Sequence, residues 1–402
     1  MKYLTRYLGL LVLFTISAGC STFSKRDPVP VDQLYRAQVL PEVPAVRAWA
    51  GTFNEQFEAD LIESVRQEMQ TSTQNGEAIL PTINILTLSG GADHGAFGAG
   101  FMNGWTAAGT RPDFKFVTGV SAGAIIAVFA FLGPEYDAVL KDGFTTIDAE
   151  DIYQERGISA LWSDSLVDSD PLRKLIDKYI TQDVLLAVAR AHTQGRRLYI
   201  GTTHMDADRL VVWNMGVIAN SGYPGALALF RKVILASSSI PLVFPPVLID
   251  VTVDGHSHDE MHADGGVKTQ LFLTAATINL TKIRAQLGIP KTPEETTRLF
   301  IIRNAQVGPE AKSVSRKLND IMDRSITLFV KSQARSDLVR IYNFAKDEGF
   351  GFNWIAMPSD YQSPPQTEAY NRAEMNKLFN IGFEMGNRKD AWRKLPPRMG
   401  QH

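Results

Sequence analysis

Cysteine is almost absent from this chain of 402 residues, which contains only one, Cys20. A lone thiol cannot form an internal disulfide, so the small disulfide-stabilised folds of secreted proteins are excluded. An excess of one charge is lacking too, because 41 basic and 43 acidic residues leave a net charge of −2. We therefore expect no nucleic acid partner. With 45% hydrophobic and 21% charged residues, the composition is that of a globular protein.

The N-terminus lacks an apolar run long enough to span a bilayer, which takes about 20 residues. The run from Leu8 to Ile16 follows Lys2 and Arg6 and precedes small residues that end at Cys20. This order is typical of a secretory signal. An ordinary signal sequence with an incidental cysteine is one interpretation.

Small residues directly before the only cysteine also resemble a bacterial lipoprotein signal. That resemblance implies a signal peptide over residues 1–19 and a lipidated Cys20 as the first mature residue. It departs from the usual signal at Ser17, where an aliphatic residue is common. Because Ser21 rather than Asp follows the cysteine, it implies a lipid-anchored protein of the bacterial cell envelope, at the outer membrane and facing the periplasm.

The rest of the chain divides into a short N-terminal region and one large domain. Residues 20–80 contain a proline-rich stretch, expected to be an extended tether, and a helix over 53–70. Residues 81–402 alternate apolar strands with helices and end in a helical extension. This pattern predicts an α/β fold, a three-layer α/β/α sandwich with a mostly parallel central sheet. The predicted strands are 83–88, 114–120, 198–203, 210–213, 247–253 and 299–303. The predicted helices are 96–107, 122–132, 171–180, 226–237, 314–346 and 368–390, and the last two flank the stretch 352–357.

The sequence Gly119-Val120-Ser121-Ala122-Gly123 lies between a predicted strand and a predicted helix. On such a strand-to-helix turn a serine is held with a strained backbone and its Oγ projects from the sheet. Side chains at Gly119 and Gly123 would collide across the turn. A serine in a plain tight turn is the alternative, but the context favours Ser121 as a nucleophile.

A glycine-rich loop, Ser89 to Gly100, follows the first strand of the domain. Such a loop presents several backbone amides at one point, which suits a phosphate or the oxyanion of a tetrahedral intermediate. The G-x-G-x-x-G order of dinucleotide-binding loops fails at Gly90-Gly91-Ala92. With the Ser121 turn one βα unit later, we interpret the loop as an oxyanion loop.

A serine nucleophile needs a proton acceptor, and two kinds are available. A histidine would have to come from His192, His204, His256, His258 or His262, because only His402 at the C-terminus follows them. An aspartate could come from three Asp-Gly pairs, which begin at Asp142, Asp254 and Asp264. Asp254 is predicted at the tip of a hairpin, and Asp264 after its return strand.

These three features, in this order, resemble the patatin-like phospholipases, a family with a Ser–Asp dyad, a glycine-rich oxyanion loop and an Asp-Gly-Gly/Ala motif. The resemblance covers about residues 83–270 and includes the segment from Ala236 to Pro246. It implies that Ser121 is the nucleophile, Asp264 the base, and Gly90, Gly91 and Ala92 the oxyanion loop. The loop departs from the family at Ala92, where a third Gly is usual, and at His94, where an Arg is usual.

The resemblance implies a serine acyl hydrolase that cleaves carboxylic esters of lipids, similar to a phospholipase A or lysophospholipase, without a cofactor. A lipidated Cys20 would place it at a membrane, where phospholipid is the nearest abundant ester. An acyltransferase that uses the same acyl-serine, or a lipoprotein scaffold with a weak site, are the alternatives.

Three further features have less specific interpretations. The segment His256 to His262 has zinc-ligand residue types, but a solvated hairpin arm is the favoured interpretation, and no metal site is predicted. Phe244, Pro245 and Pro246 are candidates for an acyl pocket or for plain core. Phe329 and its neighbours are interpreted as core rather than as a membrane-binding face.

Overall fold

The fold is described from a computed structural model, which covers residues 26–71, 73–74, 77–78, 82–157, 163–273, 283, 297–362 and 369–397. The expected signal peptide over residues 1–19 and Cys20 lie outside these ranges.

A nine-stranded sheet runs through the centre of the domain. Its strands are β1 (Arg47–Trp49), β2 (Ile83–Leu88), β3 (Phe116–Gly119), β4 (Arg197–His204), β5 (Arg209–Asn214), β6 (Val247–Val253), β7 (His256–Asp264), β8 (Thr297–Arg303) and β9 (Gly351–Ala356). Strands β4, β3, β2, β8 and β9 are neighbours in that order and pair in parallel. Strand β5 continues the sheet antiparallel to β4, and β1 pairs antiparallel with β5. The hairpin of β6 and β7 joins through the last residues of β7, which pair with β4.

Helices cover both faces of this sheet, and two hydrophobic clusters lie between the layers. The helices are α1 (Glu55–Thr71), α2 (Gly95–Ala107), α3 (Ala122–Leu132), α4 (Asp137–Thr145), α5 (Ala149–Ile152), α6 (Asp170–Tyr179), α7 (Gln182–Thr193), α8 (Met215–Asn220), α9 (Ala226–Ser237), α10 (Leu318–Glu348) and α11 (Arg372–Gly386). Helices α1 and α10 contribute to one cluster, and α2, α3, α7, α9 and α11 to the other. The predicted α/β/α sandwich with a mostly parallel sheet is confirmed.

Several shorter elements accompany these strands and helices. They are two-residue strands at Thr73–Gln74, Glu77–Ala78, Gln154–Glu155 and Val167–Asp168, and 3-10 turns at Val31–Arg36, Ala92–His94, Pro134–Tyr136 and Gly265–Val267. No helix within the described ranges combines the length and the apolar character needed to cross a membrane.

The segment expected to be an extended tether is, from Asp27 onward, bound to the domain. The Asp27 carbonyl accepts a hydrogen bond from the Asp259 amide at 2.9 Å. Gln38 and Thr252 exchange two backbone hydrogen bonds, of 3.0 and 2.8 Å. Strand β1 then joins the sheet edge beside β5. The physical reason is that the hairpin and β5 offer open backbone edges, which an extended chain satisfies.

Candidate active site

Ser121 lies on a sharp turn between β3, which ends at Gly119, and α3, which begins at Ala122. Its φ of 57° and ψ of −132° fall in a region that a non-glycine residue rarely adopts. Such strain persists where the surrounding structure imposes it, and it is common at functional sites. The Ser121 side chain belongs to the lining of a cavity, although the residue as a whole is only 6% exposed.

Two close approaches explain the glycines of the turn. A Cβ at Gly119 would lie 2.4 Å from the carbonyl oxygen of Gly123. A Cβ at Gly123 would lie 2.5 Å from the carbonyl oxygen of Leu88, at the end of β2. Neither distance is compatible with a side chain. The collision across the turn explains Gly119, whereas Gly123 is needed because α3 begins against the end of β2.

The glycine-rich loop passes directly beside Ser121. A Cβ at Gly90 would lie 2.9 Å from the Ser121 Cβ, and one at Gly91 would lie 2.3 Å from the Asn304 carbonyl oxygen. Ala92 has a φ of 50°, a left-handed conformation that favours glycine. The third residue of the loop therefore keeps a glycine-like backbone although it carries a methyl group.

Several backbone amides near Ser121 are free to bind an oxyanion. In the part of the chain that the structure describes, the amides of Gly90, Gly91 and Ala92 donate to no protein acceptor. The same holds there for the amide of Ala122, the residue after the serine, at the N-terminus of α3. This fourth donor, the Ala122 amide, was not predicted from the sequence.

A buried arginine supports the loop from behind. Arg303, at the end of β8, donates through Nη1 to the Ser89 hydroxyl and the Gly90 carbonyl, both at 3.1 Å. The same Nη1 donates to the Gln270 side-chain oxygen at 2.8 Å, and the Gln270 amide group donates to the Gly266 carbonyl at 2.9 Å. Burial lowers the pKa of Arg303 to about 10, so it stays a cation at neutral pH. It therefore provides a fixed positive charge near the loop. His94, at the position where an Arg is usual in the family, is half-buried.

Asp264 ends β7 and is 4% exposed. Its amide donates to the Ser239 carbonyl at 2.8 Å, and its Oδ1 accepts from the Gly266 amide at 2.6 Å. Burial raises the pKa of this carboxyl from 3.8 to about 6, and hydrogen bonding from the Ser121 hydroxyl and the Gly266 amide partly opposes that rise. The fold therefore places the Asp264 carboxylate within hydrogen-bonding reach of the Ser121 hydroxyl.

The segment after α9 connects the two residues. The Ser237 hydroxyl accepts from the Ser121 amide at 3.0 Å and donates to the Gly201 carbonyl at 2.7 Å. Two residues later, Ser239 holds the Asp264 amide. Ser237 was not singled out from the sequence, although it lies in the quoted segment.

The other two Asp-Gly pairs lie elsewhere. Asp142, on α4, accepts from the Tyr179 hydroxyl at 2.5 Å and pairs with Lys178. Asp254 is at the tip of the β6–β7 hairpin, as predicted, and pairs with Arg36. Neither carboxylate is directed at Ser121.

The histidines between Ser121 and the C-terminal tail have partners away from the serine or lie on the hairpin. None of these histidines that the structure describes is therefore positioned to act as the hydrogen-bonded base of Ser121. His192 is 3.7 Å from Asp60, and burial lowers its pKa to about 4. His256 is exposed near the hairpin tip, and His258 is 3.6 Å from Asp27. His204 and His262 belong to a separate buried cluster.

That cluster corrects the interpretation of the segment from His256 to His262 as a solvated arm. Glu260 and His262 are fully buried together with His204, and their ligand atoms lie within 4.8 Å of one another. The reason is that the base of the hairpin pairs with β4, so only its tip is solvated.

The cluster satisfies its own charge. Burial alone would raise the pKa of Glu260, but Arg47, which forms a paired contact with both carboxylate oxygens, and the two histidine rings hold it well below its usual range. The Trp213 indole donates to the Thr202 hydroxyl at 2.7 Å, which leaves the Thr202 hydrogen for Nδ1 of His262, 2.9 Å away. The Nε2 hydrogen of His262 then points at Glu260, at 3.2 Å. With a guanidinium already on its carboxylate, the cluster does not fit a cation.

An apolar cavity opens beside Ser121 and Ala92. Its walls are mainly aliphatic and aromatic side chains, among them Ile125, Phe129, Leu140, Phe144, Leu172 and Ile176. Tyr370 also lines it; this residue has a φ of 61°, and its amide donates to the Asp93 carboxylate at 3.2 Å. Phe244 is instead buried in the core.

Residues 86–277 match the family model of patatin-like phospholipase. No curated protein matches the chain. Among solved structures, the crystal structure of VipD from Legionella pneumophila is similar at 13% sequence identity, with a TM-score of 0.40, over 77% of this chain and 67% of that chain. The match over 86–277 contains the loop at Gly90, the turn at Ser121 and the turn at Asp264. The chain therefore carries a domain of the patatin-like phospholipase family, a family of lipid acyl hydrolases.

Proposed function

We propose that this protein hydrolyses carboxylic ester bonds of lipids through a Ser121–Asp264 dyad, in the manner of a phospholipase A or lysophospholipase. The observation that carries the proposal is the strained Ser121 turn beside the buried Asp264 carboxylate. A carboxylate with a pKa of about 6 is ionised at neutral pH and is a better base than an ordinary aspartate.

In the acylation step, Ser121 Oγ attacks the ester carbonyl carbon while its proton passes to Asp264. The carbonyl π electrons move to the oxygen, which becomes the oxyanion of a tetrahedral intermediate. When the intermediate collapses, the C–O bond to the alcohol breaks and the alcohol leaves with the proton from Asp264. The product is an acyl ester on Ser121.

In the deacylation step, water gives a proton to Asp264 and attacks the acyl-enzyme carbonyl. Collapse of the second tetrahedral intermediate releases the fatty acid and returns the proton to Ser121 Oγ. Both intermediates place negative charge on the same oxygen.

We assign the stabilisation of that oxygen to the free amides of Gly90, Gly91, Ala92 and Ala122. Preorganised amides are effective because they need no reorganisation during the reaction, and a single donor is worth about 100- to 1000-fold in kcat. The N-terminus of α3 favours negative charge at the same place. The buried guanidinium of Arg303 behind Gly90 adds to this field.

The cavity beside Ser121 supports an acyl chain as the group transferred. An apolar wall binds alkyl groups by removing them from water, at about 0.8 kcal/mol per methylene. Among the described residues that line the cavity, none carries a charge that would select a polar acyl group. We therefore expect fatty acyl esters to be preferred over acetyl esters.

The test is the release of fatty acid from a panel of phospholipids and lysophospholipids, by wild type and by Ser121→Ala. Ser238→Ala is the matched control, because Ser238 lines the same cavity and its hydroxyl has no hydrogen-bond partner among the described residues. We expect Ser121→Ala to abolish release and Ser238→Ala to retain most of it. Acyl transfer to an added alcohol at the expense of hydrolysis would favour an acyltransferase, and equal release by Ser121→Ala would refute the proposal.

We also propose that the protein is anchored through a lipidated Cys20 to the outer membrane, on its periplasmic side. The support is the sequence order of basic residues, an apolar run and small residues before the only cysteine. Mass spectrometry of the N-terminal peptide tests it. Wild type should carry acyl groups at Cys20 and Cys20→Ser should not, whereas an unmodified Cys20 within the mature chain would contradict the assignment.

A further inference from the structure

The first half of α10 exposes an unusual set of apolar side chains. Phe329 is 74% exposed and Leu318 72%, which corrects the expectation that Phe329 and its neighbours are core. The exposed apolar residues of this half, here called the α10 apolar face, are Leu318, Ile321, Met322, Ile326, Leu328 and Phe329. Scattered exposed leucines need no explanation, but a contiguous set marks an interaction site.

The apolar side of α10 changes position along the helix. In its second half, Ala334, Leu338, Ile341 and Ala345 are buried against the domain. At about 100° per residue, these four residues lie on the side of the helix opposite to the α10 apolar face. The buried second half therefore fixes the helix so that the α10 apolar face points away from the domain.

The polar side of the first half is the one that contacts the protein. Lys331 is 3.2 Å from the Glu310 carboxylate, and Arg324 donates to the Glu310 carbonyl at 2.5 Å. A surface helix normally places its charges toward water and its apolar side inward. This half has the reverse arrangement, which fits an apolar environment outside the protein.

The α10 apolar face adjoins the turn that carries Asp264. Gln333, one helical turn after Phe329, donates to the Val267 carbonyl at 3.5 Å and accepts from Gln270 at 3.2 Å. Val267, three residues after Asp264, is itself an exposed apolar residue. The surface and the dyad are therefore on connected structure.

The charge around the α10 apolar face is predominantly positive. Residues 312–335 contain six basic and two acidic side chains, of which Arg324 and Lys331 face Glu310 on the protein side. Lys312, Arg316 and Lys317, which precede the helix, are all exposed. An apolar helical face next to basic residues is typical of helices that lie in the headgroup region of an anionic bilayer.

We propose that the α10 apolar face docks on a membrane surface that contains anionic phospholipid, with Phe329 and Met322 entering the acyl boundary. Docking would hold the Ser121 site against its lipid substrate, and only this role rests on the proposed function. A second copy of the chain is the other occupant that the test must distinguish.

Docking is measured on the full chain with Ser121→Ala, so that it is independent of hydrolysis. Cys20→Ser removes the only thiol, and Phe329→Cys then accepts an environment-sensitive nitrobenzoxadiazole label at one position. The matched control carries the label at Leu186→Cys, an exposed leucine on α7. The vesicles contain phosphatidylcholine with or without phosphatidylglycerol.

We expect the label at position 329 to gain intensity and shift to shorter wavelength with anionic vesicles, and the label at position 186 to change little. An equal response at both positions would overturn the proposal. A second result would also overturn the proposal. If the protein without vesicles has twice the mass of one chain and the label at position 329 is already shielded, a second copy covers the α10 apolar face.

Enzyme activity, measured in protein that keeps the native Ser121, gives an independent test. Met322→Asp combined with Phe329→Asp should lower hydrolysis of anionic vesicle phospholipid by at least about tenfold, since two apolar side chains lose their burial. The double variant should hydrolyse a soluble short-chain ester at the wild-type rate and keep the wild-type thermal midpoint. The control Leu186→Asp should change none of these three measurements. Equal vesicle hydrolysis by the double variant and wild type would refute docking, whereas failure of wild type on every ester would refute only the proposed function.

Discussion

The Ser237 hydroxyl accepts the Ser121 amide at 3.0 Å and passes its own hydrogen to the Gly201 carbonyl at 2.7 Å. It thereby ties the nucleophile turn to β4, the strand that pairs with the end of β7 at Asp264. This bridge helps to hold the strained backbone of Ser121 in place. Without it, the buried Ser121 amide would have no hydrogen-bond acceptor.

Ser237→Ala should lower kcat for ester hydrolysis by about tenfold and the free energy of unfolding by about 1–3 kcal/mol. Its loss leaves the buried Ser121 amide and Gly201 carbonyl unpaired. Steady-state kinetics and urea unfolding measure both effects. Ser238→Ala removes a neighbouring hydroxyl without a described partner and should change neither by a comparable amount. Identical behaviour of the two variants would mean that the bridge has no role.

Arg303→Met should lower kcat by about 100-fold with a smaller change in KM, since misplacing a reacting group by about 1 Å costs that much. Arg303 contacts both the Gly90 loop and, through Gln270, the Gly266 turn, so its loss affects both. Arg303→Lys keeps the charge and should recover part of kcat. Arg335→Met is the control, because Arg335 also donates to a backbone carbonyl, that of Val307. A normal kcat in Arg303→Met would contradict this supporting role.

Ala92→Gly should retain activity and raise the free energy of unfolding by up to about 1 kcal/mol. A left-handed backbone costs an alanine about 1–2 kcal/mol, which glycine avoids. Ala138→Gly, at an exposed helical position, should instead lower the stability by up to about 1 kcal/mol. Urea unfolding of the two variants compares them. A loss of stability in Ala92→Gly similar to that in Ala138→Gly would show that the φ of 50° is not a strained conformation here.

Asp264→Asn should stabilise the fold at neutral pH and not at low pH. The pKa of Asp264 is about 6 in the folded state and 3.8 for an ordinary carboxyl, so the folded state binds a proton more tightly. Wild type therefore loses stability as the pH rises from 3.8 to about 6, by about 3 kcal/mol in total. The amide does not titrate, so the advantage of Asp264→Asn should appear across that window and persist above it. Unfolding free energies at both ends of the window measure it, and a constant difference would contradict a raised pKa.

Local motifs made much of the site predictable from the sequence. The glycines around Ser121 and the Asp264-Gly265-Gly266 turn depend on neighbours within a few residues, so their patterns are visible in the chain. The partners that support them are not. Ser237 is 116 positions from Ser121, and Arg303 is 214 positions from Ser89, so only the folded sheet brings them together.

The fold class was predictable because strands and helices alternate, but burial along individual elements was not. Period-two alternation places Glu260 and His262 on one face of β7 with His256, yet the base of this strand is buried and its tip is not. Phe329 would be core only if the apolar stripe of the second half continued along the whole helix. In α10 the apolar side changes along the helix, because the second half packs apolar side chains on the domain whereas the first half contacts it through Arg324 and Lys331.

The rate of acylation of Ser121 by a fluorophosphonate tests the Ser121–Asp264 dyad most directly. Intact mass and peptide mapping should show one adduct, at Ser121, in wild type and none in Ser121→Ala. In Asp264→Asn, which keeps the shape of the side chain but cannot accept the proton, the rate should fall by at least about 100-fold. Labelling of Asp264→Asn at the wild-type rate, or an adduct on another residue in Ser121→Ala, would contradict the dyad.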